Sequence, residues 1–253
     1  MLLLKYILTN ENFGVYYNDL ASNAIWTGWG EKEKIMYHYI EDKEFLKRMK
    51  ILCSDIVNQL VQSINNDSML TVEAHLVGSG ARNLITQNAN EPIDLDYNLC
   101  VLEVFGINFN NGETIKNHIQ KHFNAVLKHN GWGDCQDSTS ALSTELRHFK
   151  KGNKTKFKID LAIVRENRYG WERLIHRKTG FVAFDQWYWN EAPSSKGLAD
   201  KVRDIKRENL WLDVIDIYLE KKNMYLRRGD KNNHPSFNVY IETINEIHYK
   251  YFR

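Results

Sequence analysis

Between Ile93 and Val101 the side chains alternate without a break: Ile93, Leu95, Tyr97, Leu99 and Val101 against Asp94, Asp96, Asn98 and Cys100. A period of two belongs to a β-strand, which sends alternate side chains to opposite faces. One face is then apolar, and the other presents Asp94 and Asp96 side by side. The pattern recurs from Thr155 to Val164, with Phe157, Ile159, Leu161 and Ile163 on one face and Lys156, Lys158 and Asp160 on the other. A lone carboxylate in such a strand is expensive to bury unless something binds there. The chain is therefore bound to build a sheet with one apolar face and one face carrying acids.

Other segments read as helix. From Asp42 onward, Phe45, Met49, Leu52, Ile56, Leu60 and Ile64 recur every three or four residues, an amphipathic stripe that ends at Asn65-Asn66-Asp67-Ser68. A short strand, Thr71 to Val77, leads into Gly78-Ser79-Gly80. A second helix is expected from Glu113 to Asn130, packing through Ile115, Ile119, Phe123, Val126 and Leu127 and stopping at Gly131. Leu142 to Phe149 and Thr155 to Val164 read as a hairpin around Lys151-Gly152-Asn153-Lys154. The last third is helical. One long pattern starts near Pro193-Ser194-Ser195 and runs through Leu198, Val202, Ile205, Leu210, Val214 and Ile217. Another starts at Pro235-Ser236 and uses Phe237, Ile241, Ile244 and Ile247. Residues 1 to 38 are aromatic and show no regular period. The order of elements implies an α+β fold, with a core over residues 1–175 and a helical part over 176–253 that closes on it.

Composition narrows the class. The 253 residues are 43% hydrophobic and 26% charged, as in ordinary folded domains. A formal charge of +2 gives no global pull toward nucleic acid, although it does not exclude a local basic cleft. Cys53, Cys100 and Cys135 form no CxxC pair, which reads as a reduced, cytoplasmic protein without a disulfide framework or zinc cage. The Met1-Leu2-Leu3-Leu4 run is broken by Lys5 and is too short for a signal peptide. No stretch approaches the roughly 20 apolar residues of a membrane span.

The chemistry centres on the acids. Two carboxylates on one strand face repel each other, so a cation is the natural neutraliser. Hard oxygen donors suit magnesium or manganese, and two such ions about 4 Å apart can activate a hydroxyl and stabilise leaving pyrophosphate. Gly78 and Ser79 follow a strand, where small residues let backbone amides approach an anion. His118 and His122 stand at i, i+4, a zinc-compatible spacing, but no third ligand is evident and a solvated helix face explains them. Asp134 and Asp137 flank Cys135 in what reads as a surface turn. There is neither a P-loop lysine nor a GxSxG elbow.

Taken together, "LVGSGARN", "PIDLDYNL" and "FKIDLAIV" resemble the polymerase-beta-like nucleotidyltransferases: strand, Gly-Ser, Asp-x-Asp, then a third Asp on a later antiparallel strand. The loop between Ser79 and Asp94 is longer than the commonest form of that motif, and a longer loop is thermodynamically cheap. The resemblance implies a nucleotidyltransferase-type mixed sheet. In it Asp94 and Asp96 bind two Mg2+ or Mn2+ ions, Asp160 completes the site and helps deprotonate the acceptor hydroxyl, and Gly78 and Ser79 cradle the triphosphate. The C-terminal "HPSFNVYIETINEIHYKYF" is similar to a helix of the oligoadenylate synthetase and cyclic-dinucleotide synthase branch. That likeness implies that Ser236 and a lysine touch the triphosphate of ATP or another NTP. Lys206 is the choice here, with Lys221 and Lys222 as alternatives, and helix capping is the plain alternative for Ser236. In "DQWYWNEAP", Tyr188 is the residue chosen to stack on a base. The implied activity is NMP transfer to a hydroxyl, giving a cyclic or linear oligonucleotide signal, with bacterial defence as its setting. Nucleotidylation of a small molecule, protein or RNA end is the alternative, and a non-catalytic nucleotide-binding module the alternative of another class.

Overall fold

The computed structural model describes residues 36–192, 197–229 and 235–252. Most of the aromatic N-terminal stretch and the Pro193-Ser194-Ser195 start signal lie outside the described residues.

The chain opens with β1 (Tyr37–Tyr39) and α1 (Lys43–Asn65). Asp42 caps α1 by accepting a 2.9 Å bond from the Phe45 amide. Then come β2 (Leu70–Leu76), the five-residue α2 (Gly78–Arg82), β3 (Thr86–Asn88) and the twelve-residue β4 (Ile93–Val104). Next is α3 (Gly112–His129), capped by Asn111. Two short strands, β5 (Gln136–Asp137) and β6 (Leu142–Ser143), precede β7 (Phe157–Asn167), β8 (Gly170–Arg177) and β9 (Gln186–Glu191). Three helices close the chain: α4 (Leu198–Arg207), α5 (Trp211–Arg228) and α6 (Ser236–Tyr251).

The main sheet has seven strands in the order β2-β4-β7-β6-β5, with β8 joined to β7 and β9 to β8. The expected hairpin is present, since β6 pairs antiparallel with β7. Toward β4, however, β7 runs parallel, not antiparallel as the motif reading expects. The reason lies in the connection: residues 105 to 156 carry α3 and the β5–β6 pair, long enough for a crossover that returns the chain in the same direction. β8 and β9 extend the sheet to Glu191, beyond residue 175.

One layer of core lies between this sheet and the two helices α1 and α3, with Phe45, Met49, Leu60, Leu95, Ile119, Phe123, Ile159 and Leu161 all but inaccessible. A second core joins α4, α5 and α6 through Ile205, Val214, Tyr218, Ile244 and Ile247, and it also takes in Leu84, just after α2. The continuous pattern expected from Leu198 to Ile217 is in fact two helices. Asn209 adopts φ +58°, the Leu210 amide bonds Ile205 O and the Asn209 amide bonds Lys206 O, which is a Schellman stop.

A buried ionic chain ties the sheet edge to α3. Lys116 is 2% exposed, and its Nζ lies 2.5 Å from Asp137 Oδ1. The other Asp137 oxygen lies 2.6 Å from His176 Nδ1, and His176 Nε2 lies 3.1 Å from Asp185. The His176 ring stacks on Trp187 at 4.2 Å. Asp137 is thus an internal ion-pair partner and not the surface-turn residue expected, whereas Asp134 pairs at the surface with Lys128. Removing one partner of a buried pair strands the other charge. Lys116→Ala should therefore lower unfolding free energy by about 3 kcal/mol. Adding Asp137→Ala should cost less than the two single losses summed, as a urea-denaturation double-mutant cycle would report.

Candidate active site

The parallel pairing of β4 with β7 sets the site. Its register places Asp96 opposite Asp160 and Asp94 opposite Lys158. The apolar partners Leu95, Tyr97, Ile159 and Leu161 face the α1/α3 core, so the three carboxylates share the opposite face. Lys158 holds two of them: its Nζ bonds both oxygens of Asp160 at 3.0 and 2.9 Å and lies 3.6 Å from Asp94 Oδ1. Burial opposes the charge on this lysine, but its bonds to Asp160 and Asp94 outweigh it and set the pKa above the ordinary value.

The carboxylates sit uneasily together. Burial, then the charges of Asp160 and Asp94, push the Asp96 carboxyl up to about 6. Burial also raises Asp94, opposed by Lys158 and reinforced by Asp160. Arg173 on β8 acts on Asp96 in the other direction, and its Nε is buried with no hydrogen-bond partner.

Gly78 sits against this cluster. Its φ is +64°, and a Cβ placed there would lie 2.7 Å from Asp96 Oδ2. Only glycine combines that backbone with that closeness. Ser79 follows at the start of α2. Arg82, one turn on, bonds Gly78 O at 2.6 Å and lies 4.3 Å over the ring of Tyr240 on α6. The acidic strands and the helical half thus meet at this turn.

On the helical side, Ser236 is the first residue of α6, with Pro235 as N-cap and no side-chain capping bond. Its Oγ instead accepts from Lys222 Nζ at 3.1 Å, and the Tyr218 hydroxyl also bonds it. Lys222 lies 3.9 Å from the centre of the Tyr37 ring, and burial lowers its pKa to about 8. Tyr37, Lys222, Pro235 and Ser236 line a cleft of ≈ 200 Å³ together with Tyr225, Leu226 and Val239. Tyr218, behind Ser236, also feels the charges of Arg82 and Asp96, so it stands between this cleft and the carboxylates.

The structure thus brings together Asp94, Asp96, Asp160 and Gly78, and brings Ser236 to Lys222. Lys206 stands apart from that pair, 4.9 Å over the Trp211 ring. The lysine beside Ser236 is Lys222, because the helix break at Asn209 resets the facing of everything after it. Tyr188 is 43% exposed on β9 and pairs with Ile175; Trp187 and Trp189, its neighbours, pack on the core from the other face. Sequence reasoning missed Lys158, Arg173, Tyr218 and Arg82. For Lys158 the signal was available, since it shares the alternation that exposes Asp160.

Donor chemistry fits a hard divalent cation: three carboxylates on one face, with burial and mutual repulsion that such an ion would relieve. Their oxygens are spread around Lys158. Among the described residues, the trios of potential ligands with donor atoms all within 4.8 Å are Asp67-His118-His122 and Glu73-His75-Cys100. His118 and His122 therefore do have a third potential donor nearby, in Asp67.

No protein-family model matches the chain, and a comparison with curated proteins gave no match. Solved structures are. CdnC of E. coli MS115-1, solved with ATP, is 13% identical with a TM-score of 0.51 over 81% of this chain and 61% of that one. The CdnE cyclic dinucleotide synthase of Elizabethkingia meningoseptica, with GTP and Apcpp, is 11% identical with a TM-score of 0.45 over 76% and 68%. Escherichia coli DncV in its 3'-deoxy GTP bound form is 11% identical with a TM-score of 0.41 over 66% and 58%. The chain has the polymerase-beta-type nucleotidyltransferase fold. It spans 61% of the length of CdnC. No described helix of this nucleotidyltransferase fold is long and apolar enough to cross a membrane.

Two tests follow from the site. With Asp96 near 6 when folded against 3.8 ordinarily, the folded protein without divalent ions binds the extra proton between those values. Its stability should therefore fall as pH rises through that window. Melting curves in chelator should show the decline, and Asp96→Asn should flatten it. Gly78→Ala should displace the Asp96 carboxylate and strain the turn, lowering stability by about 1–2 kcal/mol in chemical denaturation.

Proposed function

We propose that this protein is a metal-dependent nucleotidyltransferase that joins nucleoside monophosphates from NTPs into a cyclic or linear oligonucleotide signal. The observation that carries the reading is the register of Asp96 with Asp160, beside Asp94 and Gly78, on a fold shared with an ATP-bound CdnC.

Asp94, Asp96 and Asp160 would hold the divalent ions, which supply charge neutralisation at the phosphates and acidify a bound hydroxyl. The remaining work falls to the chain. Asp160 receives the proton of the acceptor hydroxyl as its oxygen bonds the α-phosphorus. The bond from that phosphorus to the bridging oxygen breaks, and pyrophosphate leaves with the electron pair. Gly78 leaves room for phosphate oxygens next to Asp96, with Ser79 at the same turn. Lys222 and Ser236 face the polyphosphate from α5 and α6; a lysine of lowered pKa in a tight cleft gains most from an incoming anion. Tyr188 is the residue we assign to base stacking.

Purified protein incubated with labelled NTPs and Mg2+ or Mn2+ should give a phosphatase-resistant nucleotide without an added acceptor. Asp94→Asn with Asp96→Asn should lower the rate at least about a thousandfold while circular dichroism stays unchanged. Full activity in that double variant would refute the site. Label transfer only on addition of an extract would move the acceptor to a small molecule or macromolecule.

A further inference from the structure

We propose a second, nitrogen-rich metal site on the opposite side of the sheet, in which ring nitrogens of His118 and His122 and a carboxylate oxygen of Asp67 hold a zinc-type divalent cation. His118 and His122 face the same way from α3, one turn apart, with ring centres 4.5 Å apart. Asp67 lies in the turn that ends α1. Potential ligand atoms of the three residues lie within 4.8 Å of one another.

Three details favour a metal over a solvated helix face. First, Ser63 Oγ bonds His122 Nδ1 at 2.8 Å, which leaves Nε2 for another partner. A ligating histidine ordinarily has its second nitrogen held in this way. Second, His122 Nε2 lies 3.5 Å from Asp67 Oδ2. That is too long for a good hydrogen bond, but close to the roughly 3.3 Å that separates two tetrahedral zinc ligands at usual bond lengths. Third, His118 Nε2 is buried without any hydrogen-bond partner. Asp67 is itself oriented, because the Met69 amide donates to its Oδ1 at 3.1 Å.

The site differs from the aspartate cluster in place and in chemistry. It lies on the α1/α3 side, whereas Asp94, Asp96 and Asp160 occupy the other face. Imidazole donors favour zinc, cobalt or nickel over magnesium. A metal here would clip the turn after α1 to the middle of α3, fastening together the two helices that back the sheet. With three protein ligands, water completes the tetrahedron.

The full chain, stripped with chelator and titrated with Co2+ and Zn2+ in excess Mg2+, tests this. One equivalent should bind, with a visible spectrum of tetrahedral cobalt lacking thiolate charge transfer and a rise in Tm. Asp94→Asn with Asp96→Asn should retain that equivalent. His118→Gln, His122→Gln and Asp67→Asn should each weaken binding at least about tenfold, and Ser63→Ala should weaken it by about tenfold. Asp67 is exposed in a turn, so its variant reports on the site even where a histidine variant folds poorly. The proposal fails if no equivalent survives excess Mg2+, or if Asp67→Asn and His122→Gln bind as tightly as the parent. It fails equally if thiolate charge transfer places the metal at Cys100.

Discussion

The parallel contact between β4 and β7 is what the rest of the molecule depends on. Across it Leu95 meets Ile159, Tyr97 meets Leu161 and Leu99 meets Ile163, and every one of these is at most 3% exposed. Fully burying side chains of this kind is worth about 1.5–3 kcal/mol each. A slip of one residue would turn the whole apolar set outward and drive Asp160 into the core. The register is therefore enforced on the core side, and Asp96 is held opposite Asp160 on the other side as a consequence. Like charges are kept together by hydrophobic packing that never touches them.

The second constraint is the turn from Val77 to Leu84. Its start is fastened to the sheet, since the Val77 amide donates to Asp96 O at 2.8 Å. Its end is fastened to the helices, where Leu84 is 1% exposed among α4, α5 and α6. Asn83 makes the join by taking φ +57°, a left-handed conformation that asparagine tolerates better than most residues. A parallel fastening runs from β1, where buried Asn223 exchanges two hydrogen bonds with the backbone of Tyr37. The cleft holding Lys222 and Ser236 is fixed relative to the carboxylates through these two seams.

What could be read from sequence follows from what each signal encodes. Periodicity reports which face a residue takes, so the strands bearing Asp94, Asp96 and Asp160, the helices α1, α3 and α6, and the α+β class were legible. Periodicity does not report strand direction, and β7 proved parallel to β4 although antiparallel to β6. It was also blind to β8 and β9: Gly170–Arg177 mixes charges into both faces, and Gln186–Glu191 is an edge strand exposed at four of its six positions. That Lys222 and not Lys206 lies beside Ser236 was hidden from the sequence, because the apolar stripe bridges Asn209 with little disturbance and conceals the stop that turns α5. Asp67 escaped notice for a different reason. Its partners are about fifty residues away in sequence, and only the packing of α1 on α3 brings them together.

Lys158 gives the proposed chemistry an order of events. Three carboxylates face two cations, Lys158 and Arg173, so the cluster carries one net negative charge and not three. That residual charge is a weak lure for a divalent ion with a tightly held hydration shell. Magnesium ordinarily binds through one or two carboxylates plus the phosphates of a substrate. In the proposed transfer the triphosphate would bring the charge that the site lacks, so that metal and nucleotide would bind together. Divalent ions held by these carboxylates would compete with the Lys158 ammonium for the oxygens of Asp160. An Asp160 freed of that ammonium would then take the acceptor proton of the proposed transfer only once substrate is in place. The lysine that offsets the carboxylates in the free protein would thus, in the proposed reaction, also tie the base to the arrival of its substrate.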